Sequence, residues 1–135
     1  MTQDPRSQRP YEALSPVQVE QRLTHSISDL TRAEAALRAA RDAETDAEIT
    51  YRAAFYRATL DKNAPEVSRG GYTVAERDAW VALRCREQWE SYRRAQTVRE
   101  AAQDHLRTVR DITEVLRSLG ASVRTAYEGA GYQPR

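Results

Sequence analysis

The stretch Thr73–Leu119, TVAERDAWVALRCREQWESYRRAQTVREAAQDHLRTVRDITEVLRSL, decides the fold. Thr73 stands three residues before Glu76, a Thr-x-x-Glu capping box that opens a helix. Beyond it, apolar or small residues recur at every seventh position: Val74, Val81, then Gln88 as an exception, Ala95, Ala102, Val109 and Leu116. Val98, Ile112 and Leu119 follow three places behind and are expected to fill the second seam position of a heptad. No glycine or proline interrupts the run before Gly120. Val123 and Ala126 carry both series past that glycine. An interior glycine costs about 1 kcal/mol relative to alanine, less than the continued burial returns, so the spacing predicts one helix over 73–127. A helix with one apolar stripe needs a partner.

Working outward, the preceding half of the chain supplies that partner. Ser15-Pro16-Val17-Gln18 is a second helix start, with Ser15 as cap, Pro16 at the first helical position and Gln18 completing the box. No further glycine or proline occurs until Pro65. Leu23, Leu30, Leu37, Glu44, Tyr51 and Ala58 mark one heptad position, and Ala33, Ala40, Ala47 and Ala54 mark the other. Ile27 and Phe55 widen the stripe. A methyl at every second seam position lets two helix axes approach closely. Glu34–Arg38 and Glu48–Arg52 are spaced to support the exposed face by a few tenths of a kcal/mol each.

The pattern predicts a helix over 16–62, a loop over 63–72 containing Pro65 and Gly70-Gly71, and the helix over 73–127. Helices of about 47 residues or more would each span about 70 Å or more. Similar lengths on either side of a breaker loop make an all-α antiparallel helical hairpin, a coiled coil, the simplest topology for 15–128. Folding about the loop would bring Phe55 and Tyr51 near Val81 and Cys85, Glu44 near Tyr92, and Leu30 near Leu106. Residues 1–14, with Pro5 and Pro10 among polar residues, read as a disordered tail in which Tyr11 and Leu14 could dock on the body or anchor a partner. Residues 129–135 read as a second tail.

The chain has 135 residues, 30% charged and 40% apolar, with mean hydropathy −0.79. That balance with Ala, Arg, Glu and Leu dominant describes helices with a thin core. The 21 basic and 20 acidic residues leave a formal charge of +1, so no global field draws the chain to nucleic acid or membrane. All basic residues except Lys62 are arginine; arginine can mean phosphate recognition, but with abundant alanine it more often reflects a GC-rich genome. Cys85, the sole cysteine, allows no internal disulfide and no thiolate metal cluster. No apolar run reaches the ~20 residues of a membrane span, and no signal-peptide core is visible at the start. A cytoplasmic location is expected.

Catalytic patterns are missing from the sequence: no HExxH, EF-hand loop, Walker loop or GxSxG is present. His25 and His105 have no spacing that pre-forms a metal site. The expectation is therefore a non-enzyme without catalytic, cofactor or metal residues. Cys85 reads as a small buried hydrophobe, and Glu44 with Gln88 as a polar seam pair that fixes register. Trp80, Leu83, Trp89 and Val115 lie off the main seam, and an exposed apolar band marks a contact surface. Either a second copy completes a four-helix bundle or a different protein binds, with Trp80, Leu83 and Trp89 as the partner-binding residues. An alternative comes from Arg84, Arg86, Arg93, Arg94 and Arg99, interleaved with Trp89 and Tyr92. Arginine beside aromatics can follow a phosphate backbone and stack bases. Glu87, Glu90 and Glu100 dilute that charge.

Three segments carry a family resemblance: AEITYRAAFYRA over 47–58, GYTVAERDA over 71–79 and LRTVRDITEVLRSLGASVR over 106–124. In this order they resemble small helical proteins of actinobacterial phages, mostly uncharacterised, many encoded near DNA replication and recombination genes. The resemblance covers most of 47–124. It implies an accessory protein in an infected host cytoplasm, with a virion component as a further reading, and carries over no catalytic residue. Residues 1–14 and the segment 63–70 depart from the pattern.

Overall fold

The computed structural model describes residues 14–131, which form three helices and no strand. The expected tail over 1–14 lies, but for Leu14, outside the described residues. α1 runs Pro16–Thr59, α2 Val74–Arg84 and α3 Arg86–Gly131. Both capping boxes form. The Gln18 N–H donates to Ser15 Oγ at 3.2 Å while Gln18 Oε1 accepts from the Ser15 N–H at 2.8 Å. Thr73 Oγ1 accepts from the Glu76 N–H at 3.2 Å and Glu76 Oε2 from the Thr73 N–H at 2.7 Å.

α1 ends at Thr59, three residues short of the expected 62. Asp61 Oδ1 takes the Asn63 N–H at 2.8 Å, an Asx turn that competes with helical hydrogen bonding. An isolated bridge joins Val67 to Tyr72, and Gly70 adopts φ 80°, the left-handed conformation that glycine reaches without a Cβ penalty. The expected single helix over 73–127 differs at two places. It is interrupted at Cys85 (φ −112°, ψ 19°), where the Val81 carbonyl accepts both the Cys85 N–H at 3.2 Å and the Cys85 thiol at 3.1 Å. It then continues through Gly120 to Gly131, so residues 129–131 of the expected C-terminal tail are helical.

The described chain divides into two compact units. One combines residues 14–30 with 109–131. Val19, Ser26, Val109 and Thr113 are buried there, and Ser26 Oγ lies 2.6 Å from Thr113 Oγ1. Thr113 also donates to the Val109 carbonyl at 2.8 Å, so Ser26 is the donor of the shared bond. Gly120 faces Val19: a Cβ at Gly120 would meet Val19 Cγ1 at 3.3 Å. Gly120→Leu is expected to destabilise the protein by about 2 kcal/mol through overpacking. Gly120→Ala should change stability by less than about 1 kcal/mol, since better helix propensity offsets the tight contact. Urea denaturation measures both, and equal effects would mean that Gly120 does not face Val19.

The other unit, residues 31–108, buries Ala33, Leu37, Ala40, Ala58, Val81, Cys85 and Leu106. Tyr51, Ala54 and Trp80 pack against the Ala58, Val81 and Cys85 cluster. The Arg77 guanidinium reaches the Thr59 carbonyl at 3.3 Å, fastening α2 to the end of α1.

One seam assignment is corrected. Val98 and Ile112 are 58% and 50% exposed, and Val74 is 61% exposed. The inward position beside Val81, Ala95, Ala102 and Val109 belongs instead to Cys85, Tyr92, Arg99, Leu106, Thr113 and Gly120, all buried or half-buried. A heptad seam alternates steps of three and four residues. The series Val98, Ile112 and Leu119 takes the step of three from the wrong member and falls on the flank.

Candidate interaction surface

The expected partner-binding residues divide in the structure. Trp80 on α2 is half-buried against the core cluster, and the Arg84 guanidinium sits 4.6 Å from its ring centre, a cation–π contact. Trp80 is thus partly a core residue. Leu83, on the outer side of α2, is 71% exposed, and Trp89, in the first turn of α3, is 47% exposed. The Cys85 break lies between them. Nearby in sequence, Leu60 and Tyr72 at the loop ends are 84% and 56% exposed.

The arginines of the nucleic-acid alternative are largely engaged within the chain. Arg86 pairs with Glu90 at 3.0 Å, and Arg93 donates to Gln96 Oε1 at 2.7 Å. Arg84 lies on Trp80, while Arg94 is exposed. Tyr92 is stacked on Tyr51, with ring centres 6.0 Å apart and planes 5° apart, and its hydroxyl accepts from Gln96 at 3.0 Å. One face of the Tyr92 ring is thus directed to Tyr51.

Arg99 has a different role from the one its neighbours suggested. It grips Glu44 with Nε at 2.7 Å and Nη2 at 3.4 Å, and its Nη1 donates to Gln103 at 3.1 Å. Both ends are largely covered, with side-chain exposures of 26% for Arg99 and 17% for Glu44. The hydrogen bond to Glu44 pushes the Arg99 guanidinium even higher than its ordinary value, so the cation is fixed. Glu44 therefore pairs with Arg99 and not with Gln88, whose buried Oε1 has no hydrogen-bond partner. No hydrophobic signal marks this pair; only the seam register identifies Arg99 as facing inward.

Removing one end of the pair leaves a desolvated charge, whereas removing both can be neutral or stabilising. Glu44→Leu and Arg99→Leu are each expected to melt below wild type, and the double variant above either single one. Strictly additive melting shifts would show that the two groups do not act together.

His25 and His105 are each exposed on their helices. Among the described residues no group of three or more His, Cys, Asp or Glu gathers where it could hold a metal ion. Nor is any helix among them long and apolar enough to cross a membrane. Cys85 is buried, its thiol turned to the Val81 carbonyl. The surface thus offers exposed apolar side chains at Leu83 and Trp89 beside a braced loop. No family model, no curated protein and no solved structure matches this chain.

Proposed function

We propose that this chain is a non-enzymatic helical interaction protein: an antiparallel coiled-coil hairpin that self-associates and binds a protein partner near its loop through Leu83 and Trp89. The hairpin is supported by contacts in which one residue number rises as its partner's falls. Ser26 meets Thr113, Glu44 meets Arg99, and Tyr51 meets Tyr92. The observation that carries the partner site is the exposure of Trp89 and Leu83, at 47% and 71%, next to a turn fastened by the Arg77–Thr59 contact. Tryptophan is among the commonest anchors of an interface, and truncating a central one costs about 2 kcal/mol or more of binding.

The resemblance to actinobacterial phage proteins supports an accessory role in the cytoplasm of an infected host, so an infected-cell extract is the natural source of the partner. Tagged wild type is expected to retain a protein from that extract that Leu83→Ser/Trp89→Ser loses, while both fold equally by circular dichroism. The same proteins held by both forms would remove these residues from the site. The alternative, a DNA-binding accessory of phage replication or recombination, has less support, because Arg86, Arg93 and Arg99 already have internal partners. Binding of single-stranded DNA that falls steeply with salt would establish it instead.

A further inference from the structure

Between Leu83 and Trp89 the helical ladder is open for one turn. α2 ends at Arg84 and α3 begins at Arg86, both within the unit 31–108. The Cys85 N–H still reaches the Val81 carbonyl at 3.2 Å, and the Trp89 N–H reaches the Cys85 carbonyl at 3.0 Å. Between those two bonds the ladder is missing. Among the described residues no backbone hydrogen bond joins the N–H groups of Arg86, Glu87 and Gln88 to the carbonyls of Ala82, Leu83 and Arg84. The side-chain oxygen of Gln88, buried in the same turn, also has no hydrogen-bond partner.

Neither the sequence pattern nor the packing requires this opening. Val74, Val81, Gln88 and Ala95 keep their seven-residue spacing through it, without glycine or proline. The register against α1 is unbroken as well. Glu44 meets Arg99; Tyr51, seven residues later, meets Tyr92, seven residues earlier; and Ala58 clusters with Cys85 after the same step again. Helix kinks have local causes, among them a side chain inserted into the ladder. Here the Cys85 thiol lies 3.1 Å from the Val81 carbonyl and 3.9 Å from the Ala82 carbonyl, the acceptor that the Arg86 N–H would take in a continuous helix. Closing the turn returns three backbone bonds and moves no residue off the seam. Few backbone bonds and an unpaired buried acceptor place this turn at the low-stability end of the fold.

We infer that the Cys85 turn is a hinge between α2 and α3, exchanging the open turn with a continuous helix, and that a partner seated on Leu83 and Trp89 holds the open form. In a continuous helix these two side chains, six residues apart, stand about 120° apart around the axis and about 9 Å along it. One partner surface meets both squarely only if that angle changes, and the open ladder lies between them. A ligand shifts such an equilibrium by its difference in affinity for the two forms. A partner that touches both anchors has that difference. The inference rests on the reading of Leu83 and Trp89 as a partner site and adds its regulation.

Relaxation dispersion of the backbone amides, measured by NMR on the full chain without a partner, tests the hinge. In wild type the amides of Arg86, Glu87 and Gln88 are expected to show microsecond-to-millisecond exchange at least about threefold above that of Ala95. Cys85→Ala removes the thiol from the ladder and supplies the best helix former, so its dispersion should be flat. Cys85→Ser, whose hydroxyl bonds to the carbonyl four residues back, should exchange as wild type does. Flat wild-type profiles overturn the hinge, and so does Cys85→Ala exchange equal to wild type at unchanged helical circular dichroism. If Cys85→Ala loses helix, Cys85→Val is read in its place with the same expectations. Partner capture is scored separately. The closed variant, with Leu83 and Trp89 intact, should retain the protein held from infected-cell extract about tenfold more weakly than wild type. Equal retention overturns the coupling between hinge and partner. A wild type that exchanges at 86–88 but retains no protein counts against the Leu83/Trp89 site and leaves the hinge standing.

Discussion

Leu106→Ala is expected to lower unfolding free energy by about 3 kcal/mol and the melting temperature by roughly 10 °C at a fixed protein concentration. Leu106 is 5% exposed and Leu37 6%, and they are the largest apolar side chains among the buried residues described. Most of their companions in the core are alanine or valine. A core made of methyl-sized groups has few long side chains able to move into a vacated space, so the lost transfer energy and the cavity both count. Leu37→Ala should behave alike. Leu60→Ala, at a leucine 84% exposed, provides the contrast and should fall within about 0.5 kcal/mol of wild type. Were Leu60→Ala and Leu106→Ala to melt together, the seam assigned to α3 would be wrong. Concentration must be held constant, because self-association of the kind proposed above stabilises the folded chain by mass action.

The same cores show what the residues disclose unaided. The two capping boxes could be read directly, because a hydroxyl and a carboxylate or amide three residues apart satisfy reciprocal backbone donors whatever surrounds them. The inward row of α1 was also legible, since Leu37, Ala33, Ala40 and Ala58 are apolar at heptad spacing and are buried. On α3 the same reasoning misplaced half the seam. Four of the inward positions are Tyr92, Arg99, Thr113 and Gly120, residues whose side chains carry little hydrophobic signal or a polar one. Each is accommodated by something on α1 that only three dimensions reveal: Tyr51 stacks on Tyr92, Glu44 neutralises Arg99, Ser26 bonds Thr113, and Val19 fills the space above Gly120. Val98 and Ile112, being apolar, drew the assignment to the flank.

The interruption at Cys85 was illegible for a related reason. Neither glycine nor proline marks it, and the thiol contact to the Val81 carbonyl is visible only in the fold. As for the surface, composition identified Leu83 and Trp89 as off-seam. It could not show that Trp80 is partly absorbed by the core under Arg84. Nor could it show that Arg86 and Arg93 had partners within their own helix.

Ala33→Leu and Ala40→Leu carry the second large effect, and its sign is more informative than its size. Both alanines are buried, at 3% and 6% exposure. Leucine is nearly as good a helix former as alanine, so the local cost of either change is small. If the proposed hairpin packs its helices closely over these methyl groups, three added carbons at each site must push the axes apart or force strained rotamers. Each substitution then costs about 2 kcal/mol, and the pair about 4 kcal/mol if the costs add. If the axes instead stood at a leucine-zipper separation, the same carbons would fill space and stabilise the fold by about 1 kcal/mol or more each. Urea denaturation distinguishes the two cases. Midpoints that fall at unchanged slope support close packing, whereas midpoints that rise would sink the alanine seam and the hairpin geometry built on it.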